Sequence, residues 1–130
     1  MTVARGRLLA WGPPALYAAG IFALSSLPHP PAAEALKDHD GWFHLVEYAV
    51  LGLLVARAFL HTRPAWSRAA VVAASAAACG AYGLTDEIHQ SFVPPRSVQA
   101  SDVVSDLVGG LAGAAAWAAC ARPARRSARA

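Results

Sequence analysis

Hydrophobic and polar positions along the chain sort into four long apolar stretches, residues 8–27, 42–60, 66–84 and 103–121, separated by short segments rich in proline and charge. At about 1.5 Å of rise per residue, a helix of roughly 20 residues spans the roughly 30 Å hydrocarbon core of a bilayer. Each stretch is therefore long enough to cross. Such runs are too long for strands, and no period-two alternation supports a barrel. The third stretch, rich in alanine with Arg68 near its start, and the fourth, which carries Asp106, predict helices packed against other helices rather than lipid-facing all round. The pattern predicts an all-α membrane protein, a single domain of four transmembrane helices in a compact bundle.

Arg5 and Arg7 ahead of the first stretch also fit a secretory signal peptide, but the apolar run exceeds the usual h-region of about 7 to 15 residues. It reads as a retained span. Pro13 and Pro14 are expected in its first helical turns, where a missing amide donor costs least, and Pro28, Pro30 and Pro31 end it.

Composition agrees. Of 130 residues, 56% are hydrophobic and 15% charged, against about a quarter charged in ordinary soluble domains. That excludes a disordered chain, a coiled coil and a disulfide scaffold. The net charge of +3 does not point to nucleic acid, because the basic residues punctuate apolar runs instead of forming one patch. With alternating helices, Arg5, Arg7, Arg57, Arg63, Arg68, Arg122, Arg125, Arg126 and Arg129 fall on one side, leaving Lys37 and Arg96 on the other. The positive-inside rule then puts both termini in the cytoplasm, with the basic tail as a headgroup anchor. Cys79 and Cys120, at different depths, are expected as unpaired packing residues. Gly109 and Gly113 form a small-xxx-small step that serves packing within one bundle or between copies.

All eight acids gather toward the opposite, outer side: Glu34, Asp38 and Asp40 in the first outer loop, Glu47 one turn into helix two, and Asp86, Glu87, Asp102 and Asp106 around the second outer loop and the start of helix four. Asp40, His44, Glu47 and Tyr48 share one helical face by spacing, and Asp86 and Gln90 would share one if they occupy a helical turn. A charge at the membrane centre costs about 2.5 to 3.5 kcal/mol on insertion scales, so Glu47 and Asp106, below the interface, call for partners. Asp86, Glu87 and Asp102 are expected at the interface itself. Lys37 and Arg96 cannot neutralise eight acids, which implies a polar pocket that is hydrated, protonated, paired with His44 or His89, or holding a cation. Trp11, Trp42, Trp66, Trp117 and Tyr48 read as interfacial anchors, and Phe92 as a residue dipping the second loop back into the bundle.

Asp40, His44 and Tyr48 followed by Leu51 and Gly52, then the run DEIHQSFVPPR from Asp86 to Arg96, Asp102 six residues later and Gly109 beyond, resemble the VanZ-like family of small bacterial membrane proteins. The resemblance covers roughly residues 21–115 and is strongest over 40–113; Ser25, Ser26, Leu27 and Pro28 resemble the family's usual exit from helix one. Gly41, Pro95 and Asp106 stand where the family often has lysine, glycine and asparagine. The resemblance implies a cell-envelope membrane protein and a link to resistance against the glycopeptide teicoplanin.

Three functional readings follow. In an enzyme acting on a lipid or lipid-linked envelope precursor, Asp86 or Glu87 would be general base, His44 a proton shuttle and Arg96 the clamp for a phosphate or carboxylate, with Asp40, Glu47, Tyr48, Gln90, Asp102 and Asp106 lining the ligand site. No GxSxG, HExxH or paired CxxC motif specifies a chemistry. In a binding protein, the same residues would hold a headgroup, a cation or the glycopeptide. In a structural protein, they would form an interhelical network. No resident cofactor is expected. A divalent cation is the open alternative, with His44 and Glu47 at helical spacing and Asp86, Glu87, Asp102 or Asp106 completing an oxygen-rich shell suited to magnesium or calcium.

Overall fold

A computed structural model of the chain describes residues 3–28 and 40–121, with side chains from residue 4 and, after the gap, from residue 41. The expectations for Glu34, Lys37, Asp38, the Asp40 side chain and the basic tail lie outside the described residues. Four helices form: α1 (Val3–Ser25), α2 (Asp40–Thr62), α3 (Arg68–Gln90) and α4 (Ala100–Cys120). All four are long and apolar enough to cross a membrane.

Two boundaries differ from the sequence expectation, each for a physical reason. α1 begins at Val3, so Pro13 and Pro14 sit well inside it rather than in its first turns; the arginine-bearing segment simply continues the helix. The turns around them lose two amide donors, a loss that membrane helices tolerate when neighbouring groups re-satisfy the backbone. α3 runs to Gln90, so Asp86, Glu87, His89 and Gln90 are helical rather than in a loop. The Gln90 amide donates to Asp86 Oδ2 one turn back at 3.0 Å, which ties this polar turn together from within. Ser67 caps the other end by accepting from the Ala70 amide at 3.1 Å.

The helices alternate up and down. Trp11 packs on Phe59 and Ile21 on Tyr48, so α1 runs against α2. His44 meets Asp106 and Gly41 meets Ser105, so α2 and α4 run parallel, with α3 antiparallel to both. The start of α1 and the end of α4 therefore share one end of the bundle, where Arg68 also donates to the Ala121 carbonyl. α2 against α4 is the most extensive pairing, and glycine is the reason. A Cβ at Gly109 would run into the Leu45 carbonyl, one at Gly113 into the Ala49 carbonyl, and one at Gly52 into the Gly110 backbone. Small residues let the two backbones touch.

An apolar cluster of Ile21, Tyr48, Leu51, Val55 and Cys79 fills the middle of the bundle. Tyr48 is fully buried and no interfacial anchor, packed on Ile21 of α1 and on Cys79 and Tyr82 of α3. Phe92 is 77% exposed and does not dip back. Trp11 packs edge-on against Phe59, which stacks on Trp66 close to Arg63. Both cysteines are free, Cys79 in the core but Cys120 exposed rather than packed.

Candidate functional site

At the end of the bundle opposite Arg5 and Arg7, α2, α3 and α4 converge on a buried set of polar side chains: His44, Asp86, Glu87, Gln90, Asp102 and Asp106. Asp86, Glu87 and Asp102, expected at the interface, are buried among the helices; Ser25 at the end of α1 and Gln99 just before α4 cover the turn of α3 that carries the first two.

The set divides into two networks. One is closed. Ser25 at the end of α1 donates to Asp86 Oδ1 at 2.6 Å, Gln90 donates to Asp86 Oδ2, and Arg96 donates to Gln90 Oε1 at 2.9 and 3.3 Å. Both Asp86 oxygens are satisfied by neutral donors, which suits a helix-tying role better than that of a base. Arg96 thus reaches an amide oxygen rather than a carboxylate. Beside this network, Ser26 and His89 Nε2 lie 2.9 Å apart and make a second tie from α1 to α3.

The other network is open. His44 Nδ1 lies 2.9 Å from Asp106 Oδ1, and its Nε2 faces Asp102 Oδ2 at 3.8 Å. Glu87 Oε2 accepts the Gln99 amide at 2.8 Å, just before α4 begins, where a carboxylate also complements the helix dipole. Among the described residues its buried Oε1 finds no partner, and neither does buried Asp106 Oδ2, pressed against Gly83 of α3. Buried carboxylate oxygens normally find donors, and leaving one without costs about 1 to 3 kcal/mol or more for a charged group. Imidazole nitrogen and carboxylate oxygens from His44, Glu87 and Asp102 lie within 4.8 Å of one another, from three different helices.

Glu47 sits apart. It lines an apolar groove of about 440 Å³ between α1 and α2 with Tyr17, Ile21 and Leu54, though within electrostatic reach of His44, Asp86 and Asp106. Tyr48 lies behind His44, their rings stacked at 6.4 Å, with its hydroxyl buried and unpartnered.

Sequence reasoning named His44, Asp86, Glu87, Gln90, Asp102 and Asp106 and missed the contributions of Ser25, Ser26, Gly83 and the Gln99 amide. The serine pair at the exit of helix one was the only available signal. A family model described as VanZ/LLP1 matches residues 25–121, from the serine that holds Asp86 to the end of α4. No curated protein and no solved structure matches.

Proposed function

The chain belongs to the VanZ/LLP1 family, and from that premise we propose that its buried acidic pocket faces the outside of a bacterial inner membrane and processes the polar group of a lipid or lipid-linked envelope precursor. The observation that carries this reading is the open network of His44, Asp102, Asp106 and Glu87. Four helices long enough to span a bilayer bury three carboxylates around one imidazole and leave two of their oxygens without donors.

His44 is the proton-handling group of this reading. Asp106 fixes its Nδ1 side, as an orienting carboxylate does in general acid–base sites, and the opposite ring nitrogen is turned toward Asp102. Glu87 offers its second oxygen to the ligand. Arg96, half-buried and bound to Gln90 through one edge, has guanidinium donors to spare for a phosphate or carboxylate. The groove between α1 and α2, which Glu47 lines, would admit the chain of the same molecule from the bilayer.

A purely structural role accounts for Ser25, Asp86 and Gln90, whose bonds are complete, but gives no reason for the unpartnered oxygens of Glu87 and Asp106. Mass spectrometry of envelope lipids and lipid-linked intermediates, from cells expressing the native protein or its Glu87→Gln variant at equal membrane abundance, tests the proposal. A species formed or consumed only with the native protein is expected. Indistinguishable profiles would remove catalysis through Glu87 on those lipids. Teicoplanin susceptibility of the same strains reads the glycopeptide link separately.

A further inference from the structure

We infer that His44, Glu87 and Asp102 form a binding site for a divalent metal ion, with Asp106 as the residue that orients the histidine. This deepens the pocket reading above and rests on it, yet it stands on separate geometry.

The donor atoms come first. Two ligands each about 2.1 Å from one metal lie at most about 4.2 Å apart. His44 Nε2 and Asp102 Oδ2, at 3.8 Å, already satisfy that limit, and the set as a whole, within 4.8 Å, needs only a few tenths of an ångström of side-chain adjustment. At 3.8 Å the pair is too long for a good hydrogen bond.

The second observation is the unpartnered oxygen of Glu87, a side chain only 2% exposed. One of its oxygens is anchored by the Gln99 amide, which fixes the carboxylate, while the other has no donor. The third is Asp106. If Nδ1–H of His44 donates to Asp106 Oδ1 at 2.9 Å, Nε2 carries the lone pair and turns it toward Asp102. A carboxylate behind a ligating histidine is the usual arrangement that sets the tautomer and raises ligand basicity.

A dication would offset the charges of the Glu87 and Asp102 carboxylates, which suits their burial. One nitrogen and two oxygens match manganese or zinc better than calcium, which takes six to eight oxygens. Three protein ligands also leave positions for water or a ligand oxygen, as catalytic sites do. Glu47, paired with His44 by spacing alone, faces the α1–α2 groove and is outside the set.

The test uses the full-length protein purified in detergent, stripped with a chelator and titrated with Mn²⁺, with bound metal counted by electron paramagnetic resonance and Zn²⁺ added as competitor. One equivalent per chain is expected, displaced by Zn²⁺, with a rise in melting temperature. His44→Gln and Glu87→Gln should lose binding, while their melting temperatures in chelator show whether they fold. Asp106→Asn, which keeps all three ligands, should weaken binding about 10- to 100-fold. No saturable binding by the folded native protein, or equal binding by folded Glu87→Gln, overturns the inference. Should lipid profiles depend on Glu87 while the native protein binds no metal, the metal site falls and the pocket reading stands. Metal binding with lipid profiles indifferent to Glu87 would sink the lipid chemistry and keep the metal.

Discussion

Replacing Gly109 or Gly113 by alanine adds one methyl group to the face of α4 that touches α2. At both positions the obstacle is a backbone carbonyl, of Leu45 and Ala49 respectively, so no side chain can swing aside. Restoring ordinary contact requires α4 to retreat by roughly 1 to 1.5 Å along that line, and overpacking of this kind costs about 1 to 3 kcal/mol. That corresponds to about a 5- to 150-fold loss in the folding equilibrium constant, from about 1.36 kcal/mol per factor of ten. Leu45 adjoins His44, so the Gly109 variant also stretches the 2.9 Å His44–Asp106 contact toward or past hydrogen-bond range. Gly12 and Gly20 of α1 are the internal controls, since a Cβ at either meets nothing within 4 Å. Alanine there is expected to be neutral or slightly stabilising, because glycine is the poorer helix former by about 1 kcal/mol. The assay is equilibrium unfolding in mixed micelles, followed by circular dichroism and tryptophan fluorescence. If Gly113→Ala is as stable as Gly12→Ala, close backbone contact is not what holds α2 to α4.

Ser25→Ala removes the donor to buried Asp86 at 2.6 Å and should cost about 1.5 to 3 kcal/mol, seen as lower stability and faster proteolysis of α1; an unchanged variant would mean that Asp86 does not tie α1 to the bundle. Tyr82→Phe loses the 2.6 Å bond to the Ala18 carbonyl and should cost about 0.5 to 1.5 kcal/mol in the same unfolding assay. Cys120 should react with a thiol reagent in the folded protein, and Cys79 only after unfolding. With the proposed orientation, a membrane-impermeant reagent should label Cys120 in inverted vesicles but not in intact spheroplasts; the opposite result would reverse the topology and place the pocket inside.

Hydrophobic run length alone determined four helices long and apolar enough to cross a membrane, because a bilayer offers a chain this apolar few other solutions. Helical spacing also put His44 on the polar side of α2, and the surplus of acids showed that a buried polar centre was needed. The end of α3 was illegible. A turn reading Asp86, Glu87, Ile88, His89 and Gln90 looks like a loop until Ser25 and the start of α4 cover it, and partners so distant along the chain leave no local signature. Spacing likewise grouped Glu47 with His44, whereas the rotation of α2 against α1 and α4 sent one into the apolar groove and the other to Asp106. The sequence by itself thus determined the solvent, the helices and the polar inventory, since these depend on local hydrophobicity and helical period. Which carboxylates meet the histidine, and which oxygens lack a donor, was decided only by the glycine-permitted contact of α2 with α4, because that contact fixes distances between residues some sixty positions apart.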